Sequence, residues 1–279
     1  MDQKVRLLFS YAHPDDETFG SGGTIARYAD QGAEVFLICA TGGELGTVAP
    51  ELMEGYSSVA DLRAEELACA AEMLGLSEVI MLGYRDSGMA GSAENNHLDS
   101  LWAAKLEVVS RRVYDEIQRL QPQVVVTFDS FGGYGHPDHI KIHQATTHAF
   151  ENAVHEGPFR PQALYYSTFN RRPLRLATRL MRLFGFDPAH MGRNNDLNLD
   201  DIATVESTVH LRIHAGKYRQ VAWHAAQCHE SQLGGGNSFI VRLVSRLLFG
   251  SRESFEQAYP PQFHRQKSSQ DLLSNVQRS

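Results

Sequence analysis

The strongest constraint on the fold is a set of short, almost wholly apolar runs that alternate with helix-like segments. Residues 6–12 (RLLFSYA), 34–40 (EVFLICA), 77–82 (SEVIML), 123–128 (QVVVTF) and 163–168 (ALYYST) each read as a strand. Between them, residues 22–31 read as a helix stopped by Gly32, and residues 61–74 as an amphipathic helix stopped by Gly75. Residues 101–120, ahead of Pro122, and residues 140–153 complete the set. Strands apolar throughout must be covered on both faces, which alternating helices do for a parallel sheet. The pattern predicts an α/β, Rossmann-like fold: a mainly parallel sheet with helices on both faces. Ligands in such folds sit outside the carboxyl ends of the strands. The polar runs directly after strands, at 13–17, 41–46, 83–89 and 129–139, are therefore the places where chemistry is expected.

Two of those runs carry metal-ligating side chains. In AHPDDETFGSGG (12–23), a His, two Asp and a Glu fall within five positions. His13 and Asp16 could bind one metal through imidazole nitrogen and carboxylate oxygen, leaving Asp15 free as a base. Helix capping would explain one acid but not the whole group. In GGYGHPDHIKIH (132–143), His136, His139 and His143 stand three and four apart, which aligns them on one helix face. Spacing leaves open which of the three is a ligand, and a solvated His-rich helix start capped by Asp138 is the competing reading.

The rest of the composition narrows the class. The longest apolar stretches are far short of the roughly 20 residues a spanning helix needs, so no membrane insertion is expected. A net charge of −7 argues against nucleic acid as a partner. Three cysteines, Cys39, Cys69 and Cys228, are too few for a disulfide framework or a cysteine zinc site. They read as buried packing residues in a reducing, cytoplasmic setting.

After residue 168 the alternation weakens. Residues 171–182 hold five Arg and no acid, and Arg172, Arg175, Arg179 and Arg182 recur at helical spacing. Leu174, Ala177, Leu180, Met181 and Phe184 form an apolar stripe expected to pack on protein, making the segment a wall or lid over the site. A strand is expected at 207–213, a helix at 216–230, a loop at 234–237, an apolar helix at 239–249 and a frayed tail after Pro261. The organisation expected is a single catalytic domain over 1–279, with a core at 1–168, an extension at 169–260 that shapes the pocket, and a flexible tail at 261–279. A homo-oligomer is left open. Gly20 to Gly23 lacks a full phosphate-loop pattern and reads as tight helix packing. Trp102 and Trp223 read as core, with lining a sugar pocket the alternative.

AHPDDE followed by GGYGHPDH resembles the PIG-L/LmbE-type zinc-dependent N-deacetylases. TGGELG (41–46), DLRAEELACAAEMLGL (61–76) and LGYRDSGMAG (82–91) extend the likeness over residues 5–155. PQVVVTFDSFGGYGHPDH is similar to the bacterial branch that includes the mycothiol-pathway deacetylase. The resemblance implies a hydrolase removing the acetyl group from an N-acetylglucosaminyl (GlcNAc) small-molecule conjugate. It implies His13, Asp16 and His139 as ligands of Zn²⁺, with Fe²⁺ the alternative. It implies Asp15 as the base toward the attacking water. His136 would stabilise the oxyanion or protonate the leaving amine, oriented by Asp138, with Tyr134 helping at the oxyanion. Arg63 and Asp86 match positions that hold sugar hydroxyls. The alternatives are an amidase acting on a larger thiol or sugar conjugate and a non-catalytic sugar-binding module. CHESQ (228–232) and ESF (253–255) resemble the family's closing motifs, but HAAQ (224–227) competes for the first.

Overall fold

The apolar runs pair side by side, as their patterning predicts. A computed structural model describes residues 4–191, 197–233, 252–261 and 271–277. The elements run β1 (Arg6–Tyr11), α1 (Asp16–Asp30), β2 (Glu34–Thr41), α2 (Val59–Leu74), β3 (Glu78–Tyr84), α3 (Leu106–Leu120) and β4 (Val124–Phe128). They continue through α4 (Gly132–Gly135), α5 (Pro137–Glu156), β5 (Ala163–Thr168), α6 (Arg172–Leu183), α7 (Leu199–Thr204), β6 (Leu211–His214), α8 (Tyr218–Cys228) and β7 (Arg252–Tyr259). The described strands form one sheet in the order β3-β2-β1-β4-β5-β7-β6. The first five are parallel, and β7 and β6 are added antiparallel.

This order places the site. From β1 the chain moves outward to β2 and β3, then returns to lay β4 on the other side of β1. The reversal opens a crevice at the carboxyl ends of β1 and β4, the switch point where open α/β sheets bind ligands. Both histidine-bearing runs follow these two strands. Leu7, Leu8 and Phe9 of β1 and Val124, Val125 and Val126 of β4 are fully buried, so the crevice rests on the most deeply packed part of the sheet.

The helices begin earlier than their apolar periodicity predicts. α1 starts at Asp16 rather than residue 22, and α5 at Pro137 rather than residue 140. In both cases the functional motif itself supplies the first turn. Gly23 then lets α1 pack closely: a Cβ there would lie 2.5 Å from Ala215 Cβ and 2.9 Å from Glu253 Oε1. Glu253 on β7 accepts hydrogen bonds from the Gly23 and Thr24 amides at 2.8 and 2.7 Å.

Several expectations for the second half need correction. Cys69 and Cys228 form a disulfide that joins α2 to the end of α8; only Cys39 is free and buried. The pairing removes the cysteine-based argument for a reducing compartment. Only the start of the apolar stripe of α6 packs on protein: Leu174 is buried with Ile202 and Ala203 of α7, but Leu180 is 46% and Phe184 74% exposed. The tail is not wholly frayed. Leu272 is fully buried, its amide donating to the Tyr28 hydroxyl, which in turn donates to Asp271. Trp102 and Trp223 are 38% and 52% exposed and are not core residues. The loop and helix expected at 234–237 and 239–249 lie outside the described residues. Among the described residues no helix is long and apolar enough to cross a membrane.

Candidate active site

Three expected ligands converge in the crevice. His13 Nδ1 lies 3.1 Å from His139 Nε2. Asp16 places Oδ2 3.7 Å from His13 Nδ1 and Oδ1 3.4 Å from His139 Nε2. Asp16 is fixed from behind, Oδ2 accepting from the His13 amide at 2.8 Å and the Ala12 amide at 3.2 Å. Its side chain therefore turns back toward β1 rather than capping α1.

The outer nitrogens of both rings are engaged. His139 Nδ1 donates to the Gly132 carbonyl at 3.1 Å, and Phe128 stacks on the ring at 4.0 Å between centroids. His13 Nε2 faces the Asp138 carboxylate at 3.2 Å and Asp86 at 3.6 Å. Outer partners of this kind fix the tautomer and orientation of ligating histidines. The two inner nitrogens and the Asp16 carboxylate thus form a cluster of electron-pair donors that calls for a cation between them. Burial opposes charge on His13, but the carboxylates of Asp86, Asp138 and Asp16 overcome it and hold its pKa well above the usual value. Burial and positive His13 push His139 well below it. Two imidazoles and a carboxylate make a fitting N₂O set for a divalent ion.

Gly132 is needed for this packing. Its φ is +66°, and a Cβ there would lie 2.7 Å from His139 Cβ. His143 stands apart, donating from Nδ1 to the Phe128 carbonyl at 2.8 Å with its ring against Tyr166. That orientation separates it from the two site histidines, a distinction spacing alone could not make.

Asp15 sits beside the cluster in a left-handed backbone conformation, φ 120° and ψ −27°, with no side-chain cap to α1. Such strain concentrates at functional sites. Its carboxylate meets Arg63 at 3.2 Å. Burial pushes the Asp15 carboxyl up to about 7, with the Arg63 charge opposing and Asp16 adding to the rise. Arg63 is buried and also donates to the carbonyls of Gly43, at 2.9 Å, and Pro14. Its Nε has no hydrogen-bond partner among the described residues.

His136 caps α5, its Nδ1 accepting from the Asp138 amide at 3.1 Å. In the neutral ring the proton then sits on Nε2. Burial, with the positive His13 nearby, holds His136 well below its usual pKa, so the ring is an N–H donor rather than a cation. The expectation that the Asp138 side chain orients His136 is met differently. The hydrogen bond between them comes from the Asp138 backbone, while its carboxylate accepts from the Ser87 amide at 2.9 Å and the Ser87 hydroxyl and faces His13. The Tyr134 hydroxyl lies 3.5 Å from His139 Nε2, and its ring is 39% exposed at the crevice. Asp86 accepts from the Gly88 amide at 2.8 Å; despite its burial, the His13 ring keeps its carboxyl well below the usual range.

Sequence reasoning missed a layer of supporting residues. Arg171, the first of the arginine stripe, is fully buried and pairs with Asp129 at 2.6 Å while donating to the Gly133 carbonyl, which braces the loop carrying Tyr134. Glu17, Glu66, His229 and Ser231 form a second buried set. For His229 and Ser231 the closing motif at 228–232 was the sequence signal, and a competing alignment obscured it.

The PIG-L family profile, described as GlcNAc-PI de-N-acetylase, matches residues 8–150, and the chain belongs to this family. It is 35% identical to the 1D-myo-inositol 2-acetamido-2-deoxy-alpha-D-glucopyranoside deacetylase of Thermobifida fusca over 243 residues, 82% of this chain and 83% of that protein. It is 40% identical to the protein of the same description from Kineococcus radiotolerans over 212 residues, 68% of this chain but only 59% of that protein's length. Among solved structures, it resembles the N,N'-diacetylchitobiose deacetylase of Pyrococcus horikoshii with a TM-score of 0.62 at 18% identity, covering 90% of this chain and 83% of that one. It also resembles GalB, the 4-carboxy-2-hydroxymuconate hydratase of Pseudomonas putida, with a TM-score of 0.59 at 18% identity, covering 94% and 100%. These two likenesses show the fold alone. A deacetylase and a hydratase share it, so the reaction must be argued from the residues.

Proposed function

We propose that this chain is a metal-dependent N-deacetylase that hydrolyses the acetamide of a GlcNAc-type small-molecule conjugate. The observation that carries the reading is the His13, Asp16 and His139 cluster with Asp15 at its side. These three residues would hold the ion, zinc or, since mixed N/O sites accept it, ferrous iron. A bound divalent ion supplies Lewis acidity to the amide oxygen and lowers the pKa of water toward ~7.

The chain's own residues do the rest. Asp15 takes a proton from the attacking water and returns it to the departing amine. His136 donates from Nε2 to the developing oxyanion, aided by the Tyr134 hydroxyl. Arg63 holds Asp15 in place. Asp86 serves first by fixing His13 and would meet the sugar from the same position. Residues after 168 would complete the pocket, within the single catalytic domain.

The substrate in the names of the Thermobifida and Kineococcus relatives, GlcNAc joined to inositol, is the first to test. The experiment is a screen for free amine over GlcNAc conjugates with metal-reconstituted protein. Amine from an acetyl-lysine peptide but from no GlcNAc conjugate would end the sugar reading.

A further inference from the structure

We propose that His229 is a positioning residue for the deacetylation, holding the Asp15 backbone in its left-handed conformation through Glu17. The inference rests on the functional reading above and extends it to the closing motif.

The connection is direct. His229 Nε2 donates to Glu17 Oε1 at 2.7 Å, and Glu17 Oε2 accepts from the Asp15 amide at 2.9 Å. Both His229 and Glu17 are fully buried. A carboxylate out of water is tolerated only when its oxygens are hydrogen-bonded, so neither contact is incidental. His229 Nδ1 has no hydrogen-bond partner among the described residues, which leaves the ring's polar contact wholly with Glu17. At φ 120° the Asp15 amide turns toward Glu17 while the Asp15 carbonyl accepts from Thr18 and Phe19 at the start of α1. Without the Glu17 acceptor, nothing in this contact would offset the backbone strain.

His229 is itself anchored on both sides to one helix. Cys228 is bonded to Cys69, and Ser231 donates from its amide and hydroxyl to Glu66, both at 2.7 Å. Cys69 and Glu66 lie on α2, the helix that also carries Arg63. One helix therefore fixes Asp15 twice: Arg63 grips the carboxylate directly, and the 228–231 segment sets the backbone through Glu17. No ligand of the metal takes part in this strut.

The test compares His229→Ala, His229→Gln and unmutated protein, all metal-loaded. His229→Ala should lower kcat by up to the ~10²–10⁴-fold that a general base contributes, since it loosens that base without removing it. KM and metal content should stay unchanged. His229→Gln, whose amide can still donate to Glu17, should recover part of the loss. A crystal structure of His229→Ala should show Asp15 leaving the left-handed region. If His229→Ala does not fold, His229→Asn, polar but too short to reach Glu17, takes its place. Unchanged kcat with Asp15 still at positive φ would overturn the proposal, as would loss of metal in proportion to activity. If the unmutated protein hydrolyses no GlcNAc conjugate, the functional reading fails, while the crystallographic comparison still decides whether the strut exists.

Discussion

His13 Nδ1 and His139 Nε2 face each other at 3.1 Å although 126 positions separate them in the chain. With their outer nitrogens bound to Asp138 and Gly132, neither ring can turn away without breaking a buried hydrogen bond. Elemental analysis should find about one zinc or iron per chain. His139→Ala should lose most of that metal, whereas His143→Ala should keep it. A metal-replete His139→Ala protein would remove that residue from the ligand set.

Gly132→Ala should damage the same site without touching a ligand. The substitution forces a Cβ into a backbone at φ +66° and to within 2.7 Å of His139 Cβ. Metal affinity and thermal midpoint should both fall, together costing on the order of 1–3 kcal/mol in stability. A variant that matches the parent in both would mean that the loop yields freely.

Arg63→Lys should lower kcat rather than mainly raise KM. One guanidinium serves Asp15, Gly43 and Pro14, and an ammonium cannot span all three. Steady-state kinetics separates the outcomes. A pure KM effect would assign Arg63 to the sugar alone, as its family position implies.

The fold and the inner site were legible for related reasons. Strands buried on both faces leave uninterrupted apolar runs, and the parallel order then puts the residues after β1 and β4 at one crevice. His13, Asp15 and Asp16 are neighbours in sequence, so their convergence could be anticipated locally. The supports could not be read this way. The Cys69–Cys228 bond spans 159 residues, and the His229–Glu17 contact 212. Residues local to either partner do not show which distant residue it meets. The exposure of α6 was missed for the converse reason: its period shows an apolar stripe, but only tertiary packing decides whether Leu180 and Phe184 are covered.

The disulfide makes its own prediction. Thiol titration of the denatured, unreduced protein should find about one thiol per chain, Cys39, and three after reduction. Cys69→Ser should lower stability by about 2–4 kcal/mol, measured by denaturant unfolding. Three thiols in freshly purified, unreduced protein would show that Cys69 and Cys228 remain apart.

The most direct test of the catalytic account is amine release by metal-loaded Asp15→Ala beside the unmutated protein, on the inositol-linked GlcNAc conjugate, with metal counted in both. Asp15 lies next to the ligands but is not expected to be one, so the variant should keep about one metal ion. It should lose about 10²–10⁴-fold in kcat, the usual contribution of a general base. A metal-loaded Asp15→Ala protein that releases amine as fast as the parent would contradict the mechanism.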